Sequence, residues 1–425
     1  MTTVVNGLSP VCAVLANGAR VVAKETRTTP AVTIHAAIHA GTICDPPSIG
    51  GVAQFVAKTV DRGTSTRSAD EIAEALDSRG VSLAVTVNRH AITLVCTCLV
   101  EDFASVLSLV GDIVIRPVFP ETEVGTRRAE LVTLIRQDED SPAVMASEGL
   151  MDLLYGPDHP YGRRARGTVA SVETIDRQTL EAFHKSWFAP PALSLVIVGD
   201  VEPRRAIETA GDVFGEWERA GASAMDLAAP PRATGRRVRV IPMMNKSQAD
   251  LAYGFTSVLR SDPAYYAYWL MNNIVGQYSI GGRLGDSIRE RQGMAYYVFS
   301  SLDANVIPGP WFVRAGVNPA NVERAVASID SELSRFAAEG PTEREMTESK
   351  QYLIGSMPRT LETNASIANF LQTVEFFGLG LDYDVRMPGL LGAVTRDDVI
   401  AAARALLDPS KAALVVAGPY DGELH

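Results

Sequence analysis

The chain has 425 residues, 46 % of them apolar and 21 % charged, with a formal charge of -11. This is too long for one ordinary core, so at least two domains are expected. The acidic balance and the absence of any Lys/Arg run argue against a nucleic-acid-binding protein. No apolar stretch is long enough to span a membrane, and the N-terminus lacks the basic start and apolar run of a signal peptide.

Residues 11–24 alternate in polarity and are split by Asn17-Gly18, a hairpin signal. Residues 33–40 alternate again: Thr33, His35, Ala37 and His39 share one face, and Ile34, Ala36, Ile38 and Ala40 share the other. Next comes GVAQFVAKTVDRGT (51–64), with Val52, Phe55, Val56 and Val60 at helical spacing and Gly63 as a stop. Ser68 or Asp70 can cap a second helix through Ile72 and Leu76, which ends at Gly80. Strands are predicted at 81–88 and 91–99. Cys96 and Cys98 face the same way on the second, and with Cys12 and Cys44 they form no CxxC pair. Buried, reduced thiols are therefore expected, in a cytosolic protein.

Helices follow at 103–115 and 121–137. After GPDHPYG come a helix at 176–187, an apolar strand at 193–198 closed by Gly199-Asp200, and a helix at 203–217. Residues 218–236 are small and Pro-bearing, as in a linker. This divides the chain into an N-terminal domain, 1–217, and a C-terminal domain, 237–425. The second part opens with strands at 237–241 and 249–256 and a helix at 265–275. A Gly281-Gly282 turn and a short helix at 284–291 follow. Then come strands at 295–302 and 311–316 and long helices at 320–337 and 341–355. A helix at 396–407 and a strand at 412–417 end the chain.

One segment repeats at an offset of 219 residues. TIDRQTLEAFHKSWFAPPALSLVIVG (174–199) matches AVTRDDVIAAARALLDPSKAALVVAG (393–418). Each copy is a helix, a Pro-bearing turn and an apolar strand, and Leu195 answers Leu414 as Gly199 answers Gly418. Two homologous α/β halves explain this, each a sheet that needs a helical cover.

Several of these segments resemble the pitrilysin-like, insulinase-type (M16) zinc peptidases. They are LANGARVV, HAGTICDP, GVAQFVAKTVDRGT, EIAEALDSRGVSL, IRQDEDSP, HPYGRRARGT and LSLVIVGDV, joined in the second half by GGRLGDSIRERQGMAYYVFS. The resemblance is to two-domain members of the mitochondrial processing peptidase type. It implies an α+β fold: two homologous α/β domains, each a mostly antiparallel sheet covered by helices, forming half of a peptidase clamshell.

Active members of that family carry His-x-x-Glu-His on the first helix. Two histidines four apart supply neutral nitrogen ligands to zinc, and the glutamate takes a proton from the metal-bound water. A distant glutamate completes the shell. Here those positions hold Gln54, Ala57, Lys58 and, just before Ile135-Arg136, Leu134. Ala57 has no base, Lys58 repels a cation, and Gln54 is at best a weak oxygen ligand. No zinc is expected on this chain. His35 and His39 share a strand face without forming a replacement set, and Glu71 and Glu74 have no nearby histidine. The flanks of Lys58 suggest partial burial and an acidic partner such as Asp61.

The resemblance also implies a role for Arg289 and Tyr296. In active relatives an arginine and a tyrosine seven apart reach the zinc site, where they hold the peptide and stabilise the oxyanion. The expected function is a non-catalytic subunit, inactive alone. It would close the chamber of a heterodimeric zinc peptidase over an extended peptide, with zinc held by the homologous partner. Two other roles stay open: a scaffold or peptide-binding protein without a peptidase partner, and a peptidase with relocated ligands.

Overall fold

The structure, a computed structural model, describes residues 7–218 and 227–424. The chain divides into two compact units. One comprises Met1–Ile135, Arg164–Asp226 and Met357–Val385; the other comprises Arg136–Arg163, Leu227–Ser356 and Arg386–His425. The stretch read as a linker falls partly outside the described residues, and 227–234 is irregular.

In the first unit, β1 (Val11–Val14), β2 (Arg20–Glu25), β3 (Ala31–Ile38), β4 (Ala84–Val87), β5 (Ile92–Leu99) and β6 (Leu193–Gly199) form one sheet in the order β1-β2-β6-β3-β5-β4. Every pairing is antiparallel except β2 with β6. Alternation decides the faces. Val32, Ile34, Ala36 and Ile38 line up through the β3–β5 register with Cys98, Cys96, Leu94 and Ile92, and all eight are buried. Helices α1 (Val52–Thr59), α2 (Ala69–Asp77), α3 (Phe103–Ile115), α4 (Glu121–Glu139), α6 (Val169–Thr174), α7 (Arg177–Trp187) and α8 (Pro203–Phe214) accompany this sheet; α5 (Pro142–Tyr155) does not. Cys44, Cys96 and Cys98 are buried free thiols. Burial pushes them up to about 12, about 12 and about 11, which leaves them unreactive.

The second unit repeats the plan with β7 (Arg237–Pro242), β8 (Ala249–Thr256), β9 (Ala295–Leu302), β10 (Pro310–Val317) and β11 (Ala413–Gly418), in the order β7-β11-β8-β10-β9. Here too one pairing, β7 with β11, is parallel. Its core face carries Trp311 and Tyr253, both fully buried. The helices of this unit are α5, α9 (Tyr265–Asn272), α10 (Tyr278–Leu284), α11 (Val322–Glu339), most of α12 (Glu343–Thr360), most of α14 (Tyr383–Ala393) and α15 (Arg396–Leu406), whereas α13 (Asn364–Phe376) belongs to the first unit. Two π-helical stretches, Asn273–Gln277 and Gly285–Arg291, flank α10.

The repeat found in the sequence is α7–β6 against α15–β11. In each copy the strand runs parallel to its unit's first long strand and antiparallel to the next. Gly199 and Gly418 close these strands with φ of 154° and 139°. A Cβ on Gly199 would collide with the Ala31 carbonyl oxygen, and one on Gly418 would sit 2.7 Å from Ala249 Cα. The glycines match because both strands end against the backbone of the next.

Two helices cross over. α13 lies late in the sequence but packs on β3 and β6 of the first sheet, with Ile367, Ala368 and Leu371 on Val22, Val196 and Val198. α5 lies early but packs on β8 and β11 of the second sheet, where Gly149 lets the helix approach Val415 and Ile241. The sequence reading passed over α5, α6, α13 and α14. Its strand at 81–88 is four residues long in the structure, Ala84–Val87.

Candidate functional site

The stretch GVAQFVAKT forms the short helix α1, and its start is built with care. Asp45, itself buried, accepts hydrogen bonds from Gly51 N and Ala53 N, both at 2.7 Å. A carboxylate there satisfies two of the orphan N–H groups and complements the helix dipole. Gly51 has φ of 96°, and a Cβ would lie 2.5 Å from the Arg166 carbonyl oxygen. Val52, Phe55, Val56 and Val60 are fully buried, and Thr59 Oγ1 donates to Phe55 O at 2.7 Å.

The four motif positions hold no zinc ligand set. Gln54 and Leu134 are half-buried, Ala57 is buried, and Lys58 is exposed. An amide, a methyl, an ammonium and an isobutyl group offer neither two neutral nitrogens nor a carboxylate, so the residues present do not fit the metal. Among the described residues, no three His, Cys, Asp or Glu side chains stand together as a metal site. Relocated ligands therefore find no support in the geometry.

Lys58 departs from the sequence reading. It is exposed rather than partly buried, and Asp61 pairs instead with Arg62 at 3.2 Å. Lys58 lies three residues after Phe55, at the margin of the buried side, and its side chain reaches solvent there. Its field bears on Glu130 of α4, whose carboxyl is lowered first by Arg127 and then by Lys58 and Arg62. Arg127 also bridges to Glu123 at 3.2 Å. Arg128 donates to Ile175 O at 2.8 Å and lies 5.9 Å from the Phe55 ring centroid. The sequence reading missed this charge network, although the i, i+3 and i, i+4 spacing of Glu123, Arg127 and Glu130 was available as a signal.

The loop after α1 is anchored by Asp112 on α3. Its carboxylate accepts from Thr64 Oγ1 and Thr66 Oγ1, both at 2.6 Å, from Arg67 at 2.7 Å and from Arg116 at 2.8 Å. Burial pushes this acid up, but the four donors outweigh it and hold it at about 2.

In the second unit, Arg289 lies on the π-helical stretch and Tyr296 on β9, the edge strand. Tyr296 is 67 % exposed. The Arg289 side chain is 45 % exposed, and its ion-pair partner among the described residues is its neighbour Glu290 at 3.5 Å. An open pocket of about 370 Å³ runs along β9. It is lined by Arg289, Tyr297, Phe299 and Gly281 among others, and Tyr296 lies outside that lining. Tyr297 crosses Gly316, which has no side chain to obstruct it, and donates to Asp250 two strands away. Burial and Asp250 push this phenol up.

Residues 20–155 match the family described as Insulinase (Peptidase family M16), and residues 174–353 match the Peptidase M16 inactive domain. The chain belongs to the M16 (insulinase) peptidase family. It is similar to the uncharacterized zinc protease SCO5738 of Streptomyces coelicolor, at 26 % identity over 95 % of this chain and 88 % of that protein. Among solved structures it is similar to a peptidase M16 inactive domain from Pseudomonas fluorescens, with TM-score 0.90 and 25 % identity over 98 % of this chain and 99 % of that one. It also shares its fold with the periplasmic protease PqqL from Escherichia coli, with TM-score 0.80 and 16 % identity, covering 96 % of this chain and 45 % of that one. That relative corrects the cytosolic expectation. The fold occurs in a periplasmic protein, and buried free thiols reflect packing as readily as compartment.

Proposed function

We propose that this chain is the non-catalytic subunit of a heterodimeric zinc peptidase, contributing Arg289 and Tyr296 to the site of a zinc-bearing homologue. One observation carries the reading. The α1 scaffold is intact, with its Asp45 cap, Gly51 and buried apolar side, yet the three ligand positions hold Gln54, Lys58 and Leu134 and the general-base position holds Ala57, a set that does not fit zinc or its water. The exposure of Arg289 and Tyr296 supports it, since a pair that serves a partner must be reachable. The substrate class is an extended peptide. Strands β4 and β9 each stand at one edge of their sheet, opposite β1 and β7, and a peptide can add to such an edge through backbone hydrogen bonds.

The test is to mix the purified chain with a zinc-bearing M16 chain that retains His-x-x-Glu-His, and to follow cleavage of an unstructured peptide. The pair should exceed the zinc-bearing chain alone, and Tyr296→Phe or Arg289→Ala should lower kcat of the pair by about 100-fold, the usual scale for an oxyanion contact. No gain on mixing would overturn the proposal.

A further inference from the structure

We propose that Tyr297 is a positioning residue: its phenol, anchored on Asp250 across Gly316, fixes the backbone at a β-bulge and so sets the direction in which Tyr296 points. This rests on the subunit reading above, in which Tyr296 serves the site of a zinc-bearing partner.

The ladder between β9 and β10 supplies the first observation. Gly316 pairs with Tyr297, but the next residue, Val317, pairs with Ala295. Tyr296 is therefore the extra residue of a bulge, with nothing opposite it on β10. A bulged residue escapes the strict alternation of the pleat, and the side chain there is re-aimed. β9 is also the edge strand, so no second strand constrains it. The direction of Tyr296 has to be set by the residues on either side of it.

Both sides are tied down. Before it, Gly293 N donates to Arg289 O at 3.0 Å and Met294 N to Ile288 O at 3.1 Å, which fixes the turn out of the π-helical stretch. After it, Asp250, Gly316 and Tyr297 form one row across β8, β10 and β9. The ring of Tyr297 passes over Gly316, and its hydroxyl donates to the buried Asp250. Gln248 Nε2 donates to both oxygens of the same carboxylate at 3.3 Å. The row needs glycine at its centre: a Cβ there would lie 2.3 Å from Gln248 Nε2 and 2.6 Å from Tyr297 Cε1. Tyr297 and Arg289 line the same pocket, so the anchor that holds the bulge also holds it relative to Arg289. A hydroxyl that must meet a developing charge loses much of its effect when displaced by about 1 Å.

The experiment is a double-mutant cycle on the full chain, mixed with a zinc-bearing M16 chain that retains His-x-x-Glu-His. Both kcat and KM are read on an unstructured peptide. Tyr297→Phe should lower kcat of the pair about tenfold and leave KM near that of the parent. Tyr296→Phe has already lost the hydroxyl that is being aimed, so adding Tyr297→Phe to it should cost nothing further. Gly316→Ala displaces the ring while keeping the phenol. It should give the same pattern, and it carries the cycle if Tyr297→Phe does not fold by circular dichroism. Asp250→Asn, which keeps an acceptor for the phenol, should lose less than Asp250→Ala. If mixing gives no gain over the zinc-bearing chain alone, the subunit reading fails and this proposal fails with it. If the pair gains but Tyr297→Phe keeps the parent kcat, or lowers it by the same factor in the Tyr296→Phe background, the subunit reading stands and the positioning role is overturned.

Discussion

At the scale of single residues, loss and retention can be told apart by what each side chain would have to do. Ala57 and Leu134 cannot hold a proton or a metal, whereas Asp45 and Gly51 still do the structural work of starting α1. The identities of the four motif positions were legible in the sequence because a ligand is a matter of residue type and spacing. The environment of Lys58 was not, because it depends on where α4 lies. Asp112 was passed over for the same reason: its four donors come from residues 64–67 and 116, and only folding gathers them. Asp112→Asn should destabilise the first unit by about 3 kcal/mol, since it removes the charge that two arginines are bound to. The parent carboxyl is depressed when folded. Its contribution is therefore complete above its unfolded value, about 3.9, and is lost as pH falls toward about 2. Urea titrations from pH 6 to pH 2.5 should show that slope in the parent and a flatter one in Asp112→Asn.

At the scale of elements, α13 is the helix with the most to reveal. Three of the six histidines lie beneath it. His35 Nδ1 is 3.3 Å from Gln372 Oε1, and the rings of His39 and His90 lie 5.3 and 5.5 Å from that of Phe376. Burial lowers all three, His90 to about 4. Arg89 adds to the effect at His90, while at His39 Glu375 opposes it and Arg20 adds to it. Neutral imidazoles are thus favoured while α13 is docked. That stability is complete above the unfolded value of about 6.5 and drains away as pH falls. Hydrogen exchange of the α13 amides, corrected for the intrinsic rate, should be faster at pH 5 than at pH 7, and His90→Phe should reduce the difference. Equal corrected rates would remove this account. The sequence marked α13 with a Thr363–Ser366 capping box. Its apolar positions are spread rather than confined to one stripe, as suits a helix laid on a sheet, so periodicity alone did not single it out.

At the scale of the whole molecule, the repeat is not two self-sufficient halves. Each sheet takes one covering helix from the other half of the sequence: α13 for the first and α5 for the second. A chain cut to residues 1–217 keeps all six strands of the first sheet but loses the cover over Val22, Val196 and Val198. It should bind a hydrophobic dye and lack a cooperative melt, and a segment comprising residues 357–385 added in trans should restore the transition. A cooperative melt of 1–217 at the parent Tm would contradict this.

The sequence alone determined the alternating faces of the strands, the duplicated α7–β6 and α15–β11 units, the family and the missing zinc ligands. Each of these is a local pattern of residue type and spacing, and chemistry reads it without knowing what lies across the core. The tertiary structure decided which helix covers which sheet, that Lys58 is exposed while Arg127 holds the nearby acids, and that three histidines share one helix. Those facts depend on which distant segments meet, and contacts between residues hundreds of positions apart leave no periodic trace in the chain.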